Sequence, residues 1–335
     1  MGIYIRQIEY HLPEKIVTND DLQATHPEWD VQKVSEKSGV LQRHIALDNE
    51  TAFDLSCRAV EKLFQNGEIS KDNIQGILFC TQSPDYIMPS NAFLIHKQFC
   101  FENHVWAFDF NLACSGYVYG LSIARGMIET NLAENVLLIN ADTYSKFINP
   151  NDRSTQVLFG DGAAASIISK GNNGGIIDIA LASSGKDYES FYIPAGGCRL
   201  PKGNSTAEIT SDHSGNQKSP ENIQMNGFAV WQFISKVVPQ QILELLTKNN
   251  INISDIDFFG FHQASKLTLD SLIKALKIDP DKVYTNMDRV GNTVSASIPI
   301  ALKDAELAGK LKRGDLVLLS GFGVGLSYGS LIMRY

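Results

Sequence analysis

Residues 108–120 read Phe-Asp-Phe-Asn-Leu-Ala-Cys-Ser-Gly-Tyr-Val-Tyr-Gly, and the rest of the chain can be placed around them. The apolar run at 105–110 predicts a buried strand, and residues 117–127 have helical spacing. Cys114 lies between the two, flanked by small residues that let the backbone turn sharply. A cysteine in the first turn of a helix faces the positive end of the helix dipole, so we expect a lowered thiol pKa. A lone cysteine is more often a small core residue, and the local sequence leaves that alternative open.

The composition is that of a globular protein with an acidic balance. The chain has 335 residues, of which 44% are hydrophobic and 20% are charged, enough for two packed halves or one large α/β unit. The net charge is 29 − 37 = −8. Without a basic field, we predict no nucleic-acid partner. No apolar run reaches the roughly 18 residues of a membrane helix, so we predict no membrane insertion.

The cysteines and histidines show no metal-ligand pattern, so we predict no metal. The cysteines are odd in number, and the N-terminus lacks an apolar signal segment. We therefore expect reduced thiols in the cytoplasm. The five cysteines are Cys57, Cys80, Cys100, Cys114 and Cys198.

Helical and strand patterns alternate along the chain, as in an α/β fold. Strands are predicted over residues 2–10, 77–81 and 136–141, and helices over 29–38, 51–65, 90–99 and 228–247. Residues 195–222 are polar and have no clear period. We expect them to form a long surface excursion over the site or its rim.

The second half of the sequence resembles the first. Residues 76–82 match 257–263 with a shift of 262 − 81 = 181, and residues 136–139 match 316–319 with a shift of 316 − 136 = 180. Two matches at nearly one offset predict a duplicated β-α-β unit, although buried strands are alike enough for coincidence. We place an N-terminal half at 1–172, which holds the cysteine, and a C-terminal half at 173–335.

The duplication predicts where polar side chains meet. Cys114 has Asn292 near its counterpart position, since 292 − 114 = 178, and Thr81 has His262 as its counterpart. Ligands in open α/β sheets gather at the carboxyl ends of strands. Cys114, His262 and Asn292 each follow a predicted strand, so we expect them to converge if the halves pack about a pseudo-dyad.

Four motifs occur in a characteristic order. They are Ala-Cys-Ser-Gly at 113–116, Gly-Phe-His-Gln-Ala-Ser at 260–265, Arg-Val-Gly-Asn-Thr-Val-Ser-Ala-Ser-Ile-Pro at 289–299, and Ser-Gly-Phe-Gly-Val-Gly-Leu-Ser-Tyr-Gly-Ser at 320–330. Together they resemble the thiolase-like condensing enzymes, with the β-ketoacyl-acyl-carrier-protein synthase III branch as the nearest match. The resemblance covers essentially the whole chain. It implies a five-layer α-β-α-β-α fold of two similar halves, usually a homodimer.

The resemblance also implies a mechanism. Cys114 would take an acyl group from a thioester, with the backbone N–H groups of Cys114 and Val324 as the oxyanion hole. His262 and Asn292 would then hold the carbonyl of a malonyl thioester carried by acyl carrier protein and stabilise its enolate. The product would be a β-ketoacyl thioester in fatty-acid or specialised lipid or polyketide biosynthesis. No cofactor is expected beyond the acyl-coenzyme A or acyl-carrier-protein substrates.

Five further residues are candidates for substrate binding. In the resembling family, the residue at the Met88 position reaches across the dimer and closes the acyl pocket of the partner. Arg153 matches one part of the family's clamp on the coenzyme A adenine, and Trp29 matches the other in part. Ser265 replaces a common Asn, and Trp231 lies on the predicted helix 228–247. These departures leave both coenzyme A and carrier-protein donors open.

Two rival functions share these motifs. One is acyl transfer to an oxygen or nitrogen nucleophile without decarboxylation. The other is an inactive partner subunit, which retention of Cys114, His262 and Asn292 argues against. A biosynthetic thiolase would need a second cysteine where this chain has Phe322.

Overall fold

The computed structural model describes residues 2–67, 69–172 and 174–335, which build two mixed sheets around a shared layer of helices. The strands are β1 (Gly2–His11), β2 (Ile16–Thr18), β3 (Gln42–His44), β4 (Gly76–Cys80), β5 (Trp106–Phe110), β6 (Asn135–Asp142), β7 (Gly162–Gly171), β8 (Gly175–Ser183), β9 (Phe191–Tyr192), β10 (Thr210–Ser211), β11 (Gln217–Lys218), β12 (Gln224–Met225), β13 (Phe258–Phe261), β14 (Leu316–Gly323) and β15 (Ser327–Arg334). The α-helices are α1 (Asn19–Thr25), α2 (Val31–Ser38), α3 (Ala52–Gln65), α4 (Asn91–Gln98), α5 (Gly116–Glu129), α6 (Arg153–Gln156), α7 (Asn204–Ala207), α8 (Gly227–Lys248), α9 (Lys266–Leu276), α10 (Met287–Val290) and α11 (Ser297–Leu307).

The two large sheets share a strand arrangement. The first has the order β1-β7-β6-β4-β5 and the second the order β13-β14-β15-β8. Strand β4 runs parallel to β5 and β6, and β13 runs parallel to β14. The remaining neighbours in both sheets are antiparallel. Three parallel strands of the first half, and two of the second, therefore end on the same side of their sheet, next to connections that carry polar motifs.

The strand register confirms the predicted duplication. In the first sheet Ile77 is paired with Leu137, and in the second Phe258 is paired with Val317. Adding the shifts of 181 and 180 to the first pair gives the second pair, since 77 + 181 = 258 and 137 + 180 = 317. The repeats differ beside β13, where an isolated bridge between Phe259 and Val283 occupies the side that β5 occupies beside β4.

The helices and the two large sheets form five layers, because each sheet is covered by helices on both of its faces. Helices α5 and α11 lie in the middle, where they pack with strands of both sheets in one buried cluster. Helices α3 and α4 cover the outer face of the first sheet, and α8 and α9 cover that of the second. The predicted five-layer α-β-α-β-α, thiolase-like fold is thus confirmed. None of the helices in the described ranges is long and apolar enough to cross a membrane.

The polar excursion at 195–222 is less irregular than its sequence suggests. It contains α7 and the paired strands β10 and β11. Elements of two to four residues are too short to produce a readable period, because one helical turn alone needs 3.6 residues. Beyond it, Ile223 and Met225 pack in the apolar cluster around Cys114.

Candidate active site

Cys114 lies in the connection between β5 and α5 and is 4% exposed. Ser115 is the N-cap residue and the helix begins at Gly116, so Cys114 precedes the first turn. The turn is tight: a Cβ on residue 116 would lie 2.3 Å from the Cys80 sulfur. Packing against the first sheet therefore requires glycine at position 116 and places Cys114 directly before the N-terminus of α5.

The C-terminal glycine loop, residues 321–325, belongs to the other half and packs closely against Cys114. A Cβ on residue 323 would lie 2.6 Å from the Cys114 sulfur, and one on residue 321 would lie 2.7 Å from the Cys114 carbonyl oxygen. Beyond Gly323, the backbone N–H groups of Val324 and of Cys114 itself lie close enough to the sulfur to favour its charged form. Two converging amides can stabilise negative charge at this point.

The prediction of a lowered thiol pKa is wrong. The pKa of Cys114 is raised to about 12, mainly by burial and to a smaller extent by the nearby Asp142 carboxyl, against the opposing effect of the Val324 and Cys114 amides. The free-energy cost of desolvating a thiolate is therefore larger than the stabilisation that a helix N-terminus and two amides provide. Cys114 is therefore a neutral thiol at neutral pH.

His262 follows β13 and is 1% exposed. Its Nδ1 lies 2.6 Å from Oγ of Ser297, and its ring stands at 80° to that of Phe322. Burial lowers the pKa of His262 to about 3, with a smaller opposing effect from the Val294 backbone. The imidazole is therefore uncharged at neutral pH.

Asn292 is held so that its amide NH₂ faces the histidine. Its Oδ1 accepts a hydrogen bond from the Val294 N–H at 2.9 Å, and its Nδ2 donates to the Ala264 carbonyl at 3.3 Å. The same Nδ2 lies 3.5 Å from Nε2 of His262. The backbone of Asn292 also forms an isolated parallel β-bridge with Phe159, which connects the Asn292 loop to the first half.

Cys114, His262 and Asn292 line one cavity of about 90 Å³. The structure thus brings together the three residues that the duplication placed at the carboxyl ends of strands. Phe191 lines this cavity and also a second one of about 310 Å³, whose wall includes Val324 and Tyr144. The larger cavity is therefore adjacent to the cavity that contains Cys114, and the aromatic side chain of Phe191 separates the two.

The other candidate residues occupy different places. Trp231 lines the catalytic cavity, where its indole N–H donates to Ser271 Oγ at 3.1 Å. Ser265 caps α9, its Oγ accepting from the Thr268 N–H at 3.2 Å. Its neighbour Ala264 lines the cavity instead.

Trp29, Arg153 and Met88 lie farther out. Trp29 is buried and stacks on His26, with ring centroids 3.8 Å apart. Arg153 is half-buried at the start of α6. Met88 is 80% exposed on the surface loop between β4 and α4.

Sequence reasoning missed the buried polar residues behind the cavity. Asp142, at the end of β6, accepts from Ser295 Oγ at 2.6 Å and from the Gln82 N–H at 2.8 Å. Burial raises the pKa of Asp142 to about 7, against those hydrogen bonds. The carboxyl thus ties the Asn292 loop to the first sheet. A buried aspartate after an apolar strand was the available signal.

Two similar halves that bring a cysteine, a histidine and an asparagine to one buried cavity define the thiolase-like class of condensing enzymes. Comparison with known proteins narrows this class. The family model described as 3-oxoacyl-[acyl-carrier-protein] synthase III matches residues 108–185, and the model of its C-terminal part matches residues 246–335. The chain therefore belongs to the 3-oxoacyl-[acyl-carrier-protein] synthase III family, as its motifs suggested.

Similarity to individual relatives extends over the full length. The beta-ketoacyl-[acyl-carrier-protein] synthase III of Clostridioides difficile is 37% identical and covers 97% of this chain and 96% of its own. A crystal structure of a 3-oxoacyl-(acyl-carrier-protein) synthase III superposes with a TM-score of 0.97 at 38% identity, over 100% of both chains. The Thermus thermophilus synthase III gives a TM-score of 0.88 at 31% identity, over 99% of each chain.

Proposed function

We propose that this protein is an acyltransferase of the condensing type, which joins an acyl group to the two-carbon unit of a malonyl thioester. The observation that carries the proposal is the small cavity lined by Cys114, His262 and Asn292. A sulfur nucleophile beside two neutral hydrogen-bonding groups suits covalent acyl transfer followed by enolate stabilisation. The relatives named above, which are synthases of 3-oxoacyl groups on acyl carrier protein, add support.

In the first half-reaction, the Cys114 sulfur attacks the carbonyl carbon of an acyl thioester. A new S–C bond forms on Cys114, the C–S bond of the donor breaks, and the donor leaves as a thiol that carries the proton from Cys114. The amides of Cys114 and Val324 stabilise the oxyanion. Their approach to the sulfur supports this role.

In the second half-reaction, the thioester oxygen of a malonyl unit lies between His262 and Asn292. The electron pair of the bond to the departing carbon dioxide moves into an enolate, which these two side chains stabilise. The enolate carbon attacks the acyl carbon on Cys114. The bond between the acyl carbon and the Cys114 sulfur breaks, a β-ketoacyl thioester leaves, and the Cys114 thiolate takes up a proton from water. No cofactor takes part besides the two thioesters.

Acyl carrier protein is the proposed partner and carries the malonyl unit. For the acyl donor, the state of Trp29 favours the carrier protein over coenzyme A. Trp29 is buried and one face of its ring is covered by His26, so a stacked adenine would require this pair to open. All five cysteines are free thiols, which supports the proposed cytoplasmic location.

A homodimer is the proposed assembly. Strand β5 is at the edge of its sheet, and an uncovered edge strand is a template for pairing with another chain. Close by in sequence, four large apolar side chains are exposed, and clustered exposure of this kind marks an interaction surface. They are Tyr86, Ile87, Met88 and Phe93.

The test follows both half-reactions. Intact-mass measurement after incubation with a panel of acyl thioesters should show one acyl adduct on the peptide that contains Cys114, and Cys114→Ala should show none. Asn292→Ala should keep the adduct but slow release of carbon dioxide from malonyl-carrier protein by about 100- to 1000-fold, as loss of one oxyanion donor typically does. An adduct without carbon dioxide release in the wild type would instead indicate transfer to an oxygen or nitrogen nucleophile.

A further inference from the structure

Ser297 contacts the catalytic histidine on the side of the ring away from Asn292. Its Oγ lies 2.6 Å from Nδ1 of His262, whereas Nε2 lies 3.5 Å from the Asn292 amide nitrogen. Ser297 is 1% exposed and is the first residue of α11. The ring is therefore held between a buried hydroxyl and the amide that shares the cavity.

The position of one proton decides what His262 can do. A neutral imidazole carries its proton on either Nδ1 or Nε2, and only the protonated nitrogen donates a hydrogen bond. Burial keeps His262 neutral, and the positive end of the α11 dipole beside it disfavours a second proton. Only the Nε2–H form can donate toward an oxygen that Asn292 also binds.

The surroundings of Ser297 favour that form. The Gln263 backbone N–H donates to Ser297 Oγ at 3.4 Å, which leaves the hydroxyl proton to point at Nδ1. Gln263 is itself fixed, because its side chain donates to the Phe261 carbonyl at 2.9 Å and accepts from the Asn286 N–H at 3.2 Å. A spacing of 3.5 Å between two nitrogen donors is long for a hydrogen bond between them but suits one shared oxygen acceptor.

We propose that Ser297 is a positioning residue that donates to Nδ1 of His262 and thereby holds the ring proton on Nε2, where it binds the thioester oxygen of the malonyl unit together with Asn292. The identity of that oxygen rests on the proposed function. Ser297 does not touch the substrate and acts through the ring. With the opposite tautomer, Nδ1–H would donate to Ser297 Oγ, and Nε2 would offer the cavity a lone pair instead of a donor.

The tautomer can be measured on the wild-type protein. Nitrogen-15 spectra of histidine-labelled enzyme distinguish Nε2–H from Nδ1–H, and His262→Ala identifies the signals of this ring among the seven histidines. We expect the Nε2–H form in the wild type and loss of that preference in Ser297→Ala. A wild-type ring protonated on Nδ1 would overturn the proposal, whether or not the variant folds.

Kinetics provide the second readout. Ser297→Ala should slow malonyl decarboxylation about 10- to 100-fold, by analogy with loss of the hydrogen-bond partner that orients a metal-binding histidine, and mainly through kcat. Self-acylation of Cys114 should be unchanged, and Ser297→Thr, which keeps the hydroxyl, should recover decarboxylation. The matched control is Ser320→Ala, which removes a buried hydroxyl that is bonded to Ser330 and not to the ring of His262.

The outcomes separate the two proposals. A wild type that neither acylates Cys114 nor releases carbon dioxide defeats the proposed function. Normal wild-type turnover, combined with an unchanged tautomer and an unchanged decarboxylation rate in Ser297→Ala, defeats only the role of Ser297.

Discussion

Burial shifts three side chains around the cavity toward their uncharged forms. It raises the pKa of Cys114 to about 12 and that of Asp142 to about 7, and it lowers the pKa of His262 to about 3. Desolvation is the largest cause in each case, because a charge in a low-dielectric interior loses its hydration. The same low dielectric strengthens hydrogen bonds from neutral donors to an oxyanion. The site is therefore better suited to stabilising a transient charge than to holding a permanent one.

The raised pKa of Cys114 predicts how it reacts with an alkylating reagent. Only the thiolate reacts, so below the pKa the rate should rise about tenfold per pH unit, without a plateau between about pH 7 and 10. Peptide-resolved mass spectrometry after iodoacetamide treatment measures this rate. The exposed Cys100 and Cys198 serve as internal controls and should be modified before the buried Cys114. A plateau near neutral pH at Cys114 would show that the thiolate forms readily and contradict the prediction.

Among the secondary-structure elements, the repeated strands explain what the sequence could predict. The runs at β4 and β13 are short, apolar and bounded by polar residues, so their period and their offset were both readable. Cys114 and His262 each follow a strand, whereas Asn292, which was expected to follow one too, comes after the short helix α10. The duplication still placed Asn292 near the counterpart position of Cys114, so their convergence was predictable. The side chains behind them were not predictable. The bonds from Ser297 to His262 and from Ser295 to Asp142 each span at least 35 residues and depend on packing across layers.

The same reasoning explains the error about the Cys114 thiol. The sequence shows a cysteine near a helix start, which argues for a lowered pKa. How deeply the aromatic residues and the C-terminal loop cover that cysteine is decided by contacts from distant segments, among them Phe159, Phe191 and Gly323. The local sequence predicts the effect of the helix dipole on the thiol pKa, but it does not predict the larger effect of desolvation.

Strand β14 ends in the glycine loop that closes over the cysteine, which predicts the effect of one added methyl group. In Gly323→Ala, the new Cβ would lie 2.6 Å from the Cys114 sulfur and 2.7 Å from its Cβ. We expect acylation to be largely lost and unfolding to be easier by about 1–3 kcal/mol, because a packed interior must shift. Intact-mass acylation assays and denaturant titration measure the two effects.

The control for that variant lies on α5. In Gly126→Ala, nothing lies within 4 Å of the new Cβ. Replacing a helical glycine by alanine stabilises by roughly 0.5–1 kcal/mol, so acylation should be intact and the stability equal or higher. Equal acylation rates in Gly323→Ala and Gly126→Ala would mean that the loop does not press on Cys114 as the structure indicates.

At the scale of the whole molecule, the larger cavity beside Cys114 lies next to the proposed dimer surface. The cavity of about 310 Å³ is lined by Gln82 and Asn111 as well as by aromatic residues next to Cys114. Gln82 is in the same connection between β4 and α4 that carries Met88, and Asn111 directly follows the edge strand β5. The proposed dimer surface and the larger cavity therefore meet, so a second copy of the chain would form part of the acyl site.

This arrangement predicts that Met88 of one protomer limits the acyl chain held on Cys114 of the other. Methionine is unbranched and flexible, so it fills irregular space and can move aside for a medium or branched chain. Met88→Trp adds volume that a packed pocket accommodates only with strain of about 1–3 kcal/mol. We therefore expect the variant to lose acylation by longer chains and to keep acylation by acetyl. A chain-length series on both proteins measures this, with Leu307→Trp as a control that adds an indole at an exposed residue elsewhere in the chain. Sedimentation must also show a dimer, and either a monomer or identical chain-length profiles in wild type and Met88→Trp would refute the assignment.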